Sequence, residues 1–154
     1  MKIKPETKIF ICPTDTIYGI SARFDDLESI EKIKVLKQRP NDFKFITLIA
    51  DCEDLQKIGV KISEKERRFL EKIWPGPYTV IFKNGISARM PDFDDLRNLI
   101  RDIGPIISTS VNVYKERPAK NIVEAKKYFG DSVDEYIDIG ELSGESSMIL
   151  QLIR

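Results

Sequence analysis

The chain has 154 residues, 42% of them apolar and 32% charged, and its 25 basic residues balance 25 acidic ones to a net charge of zero. That suits one soluble globular domain over residues 1–154 and gives no support to a dedicated nucleic-acid binder, which carries a basic excess. With no histidine in the sequence, a Ser-His-Asp triad, a Cys-His pair and His-ligated zinc are excluded, and no apolar run reaches the roughly 20 residues of a membrane span, so a cytoplasmic chain with no membrane partner is expected.

Read in chain order, the segment Lys8–Cys12 is an apolar run ended by Pro13 and predicts a buried strand. Asp25 with Glu28 resembles a capping pair, and Leu27, Ile30, Ile33 and Leu36 then form one stripe of a helix that Pro40 stops. Phe45–Ala50 reads as a strand and Glu53–Ile58 as a short helix. Ser63 and Glu66 make a capping box for a helix whose apolar face is Phe69, Leu70, Ile73 and Trp74. Tyr78–Lys83 and Ile86–Met90 flank Asn84-Gly85, a two-residue hairpin signal. Phe93, Leu96, Leu99, Ile100 and Ile103 predict a further helix, followed by a strand at Pro105–Thr109. Asn121 with Glu124 caps the next helix, which ends at Gly130, and Glu135–Ile139 and Met148–Ile153 read as the last strands. Cys12 and Cys52 lie in no metal spacing and read as reduced core thiols. A hairpin needs antiparallel pairing and helical connections favour parallel pairing, so the expected fold is α/β: an open, twisted, mixed sheet with helices packed on it.

Four segments at element boundaries carry polar chemistry. Pro13–Gly19 offers hydroxyls and a carboxylate after a strand, serving either as local caps or as ligand contacts. Lys37 and Arg39 stand one residue apart at a helix end, either complementing the helix dipole or converging on an anion. Ser108, Ser110 and Asn112 follow a strand, where α/β sheets often border a binding crevice. The fourth segment, Ser143–Ser147, is either a plain Gly/Ser loop or a ligand loop. Trp74–Pro77 reads as structural: a buried aromatic and a rigid turn.

Together these strings resemble the YrdC-like family of threonylcarbamoyl-adenylate synthases: PTDTIYG at 13–19, KQRP at 37–40, WPGPYT at 74–79, ARMP at 88–91, STSVN at 108–112 and SGESSMI at 143–149. Each alone is short; six in one order span nearly the whole chain. The resemblance implies a positively lined cavity and a reaction that joins L-threonine, bicarbonate and ATP into threonylcarbamoyl-adenylate and pyrophosphate, for tRNA modification by a downstream complex. It implies threonine contacts from Thr14 and Ser146, a carboxylate partner in Arg89, and a pocket lining that includes Tyr18. Lys37 and Arg39 would be the catalytic cations for bicarbonate and the ATP phosphates. Ser108, Ser110 and Asn112 would contact the nucleotide and the acyl group, and Mg2+ would accompany ATP with no dedicated protein ligands. Arg89→Ala is expected to spare the fold and weaken threonine binding.

The chain departs from the pattern in places. It is short for the family at both ends, its Asn112 loop reads VNVYKERP where a Ser-Gly pair is usual, and Asn84-Gly85 is a tight turn where relatives have a longer segment. Two further readings therefore stand beside the synthase: a module of the same fold that binds tRNA or double-stranded RNA, and a shortened paralogue acting on another carbamoylated small molecule.

Overall fold

Strands that bury apolar residues on alternate positions organise the molecule. The computed structural model describes residues 1–39 and 45–152. Among these, eight strands form one sheet: β1 (Phe10–Cys12), β2 (Gly19–Arg23), β3 (Ile46–Leu48), β4 (Tyr78–Ile81), β5 (Ser87–Arg89), β6 (Ile106–Ser110), β7 (Glu135–Tyr136) and β8 (Met148–Gln151). Their spatial order is β7-β1-β2-β6-β3-β5-β4-β8. The pairs β1/β7, β3/β5 and β4/β8 are parallel and the other four antiparallel, which is the mixed sheet the sequence predicts.

Five helices pack on this sheet: α1 (Leu27–Lys37), α2 (Asp54–Lys57), α3 (Glu64–Ile73), α4 (Asp94–Ile103) and α5 (Ile122–Phe129). Because successive strand residues point to opposite faces, the register sorts the core. On one face Ile9, Ile11, Ile20, Ala22 and Ile107 pack with Ile33 of α1 and Ile122, Ala125 and Phe129 of α5. Further along it, Val80 and Ala88 pack with Leu55 of α2 and Leu70 of α3. On the other face α4 is the one helix among the described residues, with Leu96, Leu99 and Ile100 on Phe10, Cys12, Leu48 and Ile106, and Met1, Ile3 and Ile137 packed beside them. The rest of that second face carries no helix among the described residues, and the cavity lies there.

Local signals work as read for α3 and α5. The Ser63 hydroxyl accepts from Glu66 N while the Glu66 carboxylate accepts from Ser63 N, and Asn121 accepts from Glu124 N. Caps of this kind are each worth about 1 kcal/mol. Trp74 is buried, and its indole donates to the Tyr78 carbonyl at 2.7 Å. Both cysteines are free thiols, and burial raises the Cys12 pKa to about 12.

Several expectations need correction. The α1 cap is Asp26, whose carboxylate accepts from Ser29 N and Ser29 Oγ, and not Asp25. Leu27 is 73% exposed, while Ile30, Ile33 and Leu36 of the expected stripe do pack on the core, joined on the inward side by buried Ser29 and Lys37. Phe69 is 40% exposed, outside the α3 core face. Strand β2 was not expected at all, yet it sits between β1 and β6. Pro40, the expected helix stop, and Ile153, the expected end of the last strand, lie outside the described residues. Helix α1 closes earlier, on Gln38 in the left-handed region at φ 56°. No helix among the described residues is long and apolar enough to cross a membrane.

Candidate active site

The uncovered part of the second face holds a cavity of about 720 Å3. Its floor follows the strand register. Ser108 pairs with Ile46, Ile46 with Ser87, Ser87 with Ile81 and Ile81 with Gln151, and all five line the cavity. In the next row Leu48 pairs with Arg89, and Thr79 with Ile149. Polar residues thus stand at alternate positions of strands that are otherwise apolar, where a closed core would have buried them without partners. Arg39, Lys83 and Arg89 line the cavity, with hydroxyls from Thr14, Thr16, Thr79 and several serines. No Asp or Glu is among the described lining residues. Two of these cations have carboxylate partners outside the lining, Lys83 with Glu66 at 3.2 Å and Arg89 with Asp15 at 2.6 Å, so the lining presents N–H and O–H donors while the counter-charges stand behind it.

Arg89 is the hub of one end. It is 4% exposed, and its Nη1 donates to Asp15 Oδ1 at 2.6 Å and to the Gly76 carbonyl at 3.3 Å, while Nη2 donates to Thr16 Oγ1 at 3.2 Å. The second Asp15 oxygen accepts from Asp92 N at 2.9 Å, just ahead of α4. One guanidinium therefore ties together the 13–19 loop, the turn after Trp74 and the end of β5. Burial explains the arrangement, since an arginine withdrawn from water requires a counter-charge and hydrogen-bond partners. Arg89 is thus buried and paired, and its removal is expected to disturb the fold as well as the site.

Thr14 lines the same end, but its hydroxyl is occupied. It donates to the Ile17 carbonyl at 2.7 Å and accepts from Thr16 N and Ile17 N. This is the local turn that one reading of the sequence describes. Ser146 and Ser147 close the wall, with Ser147 Oγ 2.7 Å from Thr79 Oγ1. The segment 143–147 runs hard against the 13–19 loop: a Cβ on Gly144 would overlap the Thr16 carbonyl oxygen. Tyr18 lines the cavity while fully buried, and its hydroxyl donates to the Gly140 carbonyl and accepts from Ile139 N.

At the other end, Ser108, Ser110 and Arg39 line the cavity, but Lys37 and Asn112 do not. Lys37 occupies the inward stripe of α1 and has no exposed surface. Its ammonium donates to the Ser110 carbonyl, to Thr109 Oγ1 at 3.2 Å and to Asn112 Oδ1 at 2.9 Å. Asn112 Oδ1 also accepts from Ser110 Oγ at 2.7 Å. Burial first, and the Arg39 charge second, lower the Lys37 pKa to about 7. The pair expected to converge on one anion is thus divided: Arg39 faces the cavity, and Lys37 braces the end of β6 from behind the sheet.

Residue reasoning missed Thr16, Thr79, Lys83 and Ser87, all of which line the cavity. The available signal was period two, since Ser87 and Arg89, like Thr79 and Ile81, point the same way from their strands. No group of three or more His, Cys, Asp or Glu able to hold a metal occurs among the described residues. The N–H and O–H groups that line the cavity suit an anionic ligand.

Known proteins share both sequence and fold with the chain. A family profile described as "Telomere recombination" (Sua5, YciO and YrdC) matches residues 4–154. A putative threonylcarbamoyl-AMP synthase of Methanocaldococcus jannaschii is 30% identical over 87% of this chain and 69% of its own length. The threonylcarbamoyl-AMP synthase of Cellvibrio japonicus is 28% identical over 79% of this chain and 72% of its own length. The crystal structure of P. abyssi Sua5 complexed with L-threonine superposes with a TM-score of 0.85 at 26% identity and covers 96% of this chain. The chain spans about half of that protein, 48% of its length. The crystal structure of E. coli YciO shares the fold, with a TM-score of 0.81 at 21% identity over 96% of this chain and 79% of its own. The chain belongs to the Sua5/YciO/YrdC family.

Proposed function

We propose that this protein is a threonylcarbamoyl-adenylate synthase, using L-threonine, bicarbonate and ATP. The observation that carries the reading is a cavity lined by three cations and many hydroxyls, with no carboxylate among its described lining residues, in a chain whose relatives include named threonylcarbamoyl-AMP synthases. All three reactants are anionic or carry an anionic group. An anion about 4 Å from a cation near a protein surface gains roughly 4 kcal/mol before desolvation, so such a lining offsets the repulsion between them.

The reaction needs positioning more than a proton shuttle, which suits a chain without histidine. The threonine nitrogen bonds to the bicarbonate carbon, and water leaves, giving a carbamate. A carbamate oxygen then attacks the α-phosphorus of ATP. The bond from that phosphorus to the β-phosphate oxygen breaks, and pyrophosphate departs. Arg89 is assigned to the threonine carboxylate, through N–H groups beyond those held by Asp15, Thr16 and Gly76. Ser146 and the Thr14–Tyr18 loop form the wall around the threonine. Arg39 faces the bicarbonate and phosphates, with Ser108 and Ser110 as neutral donors. Lys37 acts behind them by fixing Ser110 and Asn112. Mg2+ arrives with ATP, and a tRNA-modifying complex consumes the product.

Pyrophosphate release from ATP tests this directly. It is expected to require both threonine and bicarbonate, and to fall about 100-fold or more in Arg39→Ala, the range lost when one charged transition-state contact is removed. Release without threonine would mean another acceptor. No release, with salt-sensitive retention of double-stranded RNA, would mean a binding module.

A further inference from the structure

The loop after β6 presents an aromatic ring that fills no core. Tyr114 is 42% exposed. The Arg39 guanidinium carbon lies 5.5 Å from its ring centroid, and Lys115 Nζ also lies 5.5 Å from it. Both distances are within cation–π range. The loop is pinned around this ring. Tyr114 N donates to the Lys37 carbonyl at 2.9 Å, Asn112 Nδ2 to the Glu116 carbonyl at 2.8 Å, and Tyr128 OH to the Arg117 carbonyl at 2.6 Å. Lys115 meanwhile adopts φ 69°, a left-handed conformation that is costly for a lysine.

Arg39 connects this ring to the cavity, because it both lines the cavity and lies beside Tyr114. The aromatic residues in the cavity wall offer little surface for stacking. Tyr18 is fully buried with its hydroxyl engaged, and Phe82 is 5% exposed and packs edge-on against Trp74 at 6.4 Å. A ligand with an aromatic head and a polyanionic tail is suited to a part-exposed ring flanked by cations, as Tyr114 is by Arg39 and Lys115. A nucleoside triphosphate is such a ligand.

We propose that Tyr114 is the stacking platform for the base of the nucleoside triphosphate, with Arg39 leading from the ring to the cavity where the phosphates react. This rests on the reading that the cavity takes ATP. It makes the 112–117 loop a determinant of base affinity and leaves the phosphates to the cations.

Calorimetric titration with two probes separates the parts: a non-hydrolysable ATP analogue, and inorganic tripolyphosphate, which has no base. Tyr114→Ala is expected to weaken the analogue by roughly tenfold or more, as loss of one base–aromatic stack does, and to leave tripolyphosphate within about twofold. Tyr114→Phe, which keeps the ring, is expected to bind the analogue as the wild type does. Unchanged analogue affinity in Tyr114→Ala, equal loss of both probes, or no analogue binding by the wild type would each overturn the proposal. So would RNA retention that Tyr114→Ala abolishes while analogue binding persists unchanged. Analogue binding that follows the expected pattern, in a protein that releases no pyrophosphate with threonine and bicarbonate, upholds the role of Tyr114 and refutes the synthase.

Discussion

At the residue scale, Arg89 has two roles that a single substitution confuses. It braces three segments through Asp15, Thr16 and Gly76, and its remaining N–H groups are assigned to a carboxylate ligand. Removing one partner of a buried ion pair leaves the other uncompensated, which costs about 3–5 kcal/mol. Arg89→Ala is therefore expected to lower the urea midpoint as well as threonine affinity. The double variant Asp15→Asn, Arg89→Met removes both charges together and is expected to regain most of that stability while threonine binding stays lost. Urea unfolding and threonine calorimetry on the three proteins check this. Recovery of threonine affinity in the double variant would take the carboxylate away from Arg89.

Among elements, the segment 143–147 is the wall whose position depends on one missing side chain. Gly144 passes so close to the Thr16 carbonyl that a Cβ would overlap it. Backbone cannot yield there as a flexible side chain would, so Gly144→Ala is expected to displace the segment and carry Ser146 and Ser147 away from the cavity. The neighbouring residues are exposed, so the urea midpoint is expected to change by less than about 1 kcal/mol equivalent. Threonine and ATP affinities are expected to fall severalfold. Unchanged affinity would show that this wall is not part of the site.

The same element shows what a sequence can and cannot reveal. Elements with local chemistry were legible: the Ser63–Glu66 capping box and the Asn121 cap. The hairpin was legible in place but not in loop length, because Gly85 N donates to the Phe82 carbonyl and Phe82 N to the Ile86 carbonyl, so Lys83, Asn84 and Gly85 form a three-residue loop with Gly85 at φ 86° and not the two-residue turn expected. Strand β2 was not legible, because Gly19-Ile20-Ser21-Ala22 is small and polar for a strand. Its small residues are set by the neighbour it packs on: a Cβ at Gly19 would overlap Ser108 Oγ, and Ser21 Oγ donates to that same atom. The site was half legible. The motif strings marked Arg39, Arg89, Ser108 and Ser146, but nothing local shows that Asp15 neutralises an arginine 74 positions away. Lys37 was readable as a cation at a helix end, and its place four residues after buried Ile33 is the clue that it points inward.

For the molecule as a whole, function follows from unequal covering of the two sheet faces. Among the described residues, helices α1, α5, α2 and α3 pack on one face, and α4 is the one helix on the other. The bare remainder collects cations and hydroxyls from strands distant in sequence but adjacent in register. Zero net charge is no obstacle, because the field that matters is local to the cavity. If this surface gathers all three reactants, their atoms must appear in one molecule. Incubation with 13C-labelled bicarbonate, threonine and ATP, followed by mass spectrometry, is the most direct measurement. The expected result is a species containing threonine, AMP and one labelled carbon, formed in step with pyrophosphate. Pyrophosphate formed with no labelled adenylate, or no product at all from folded protein, would contradict the synthase.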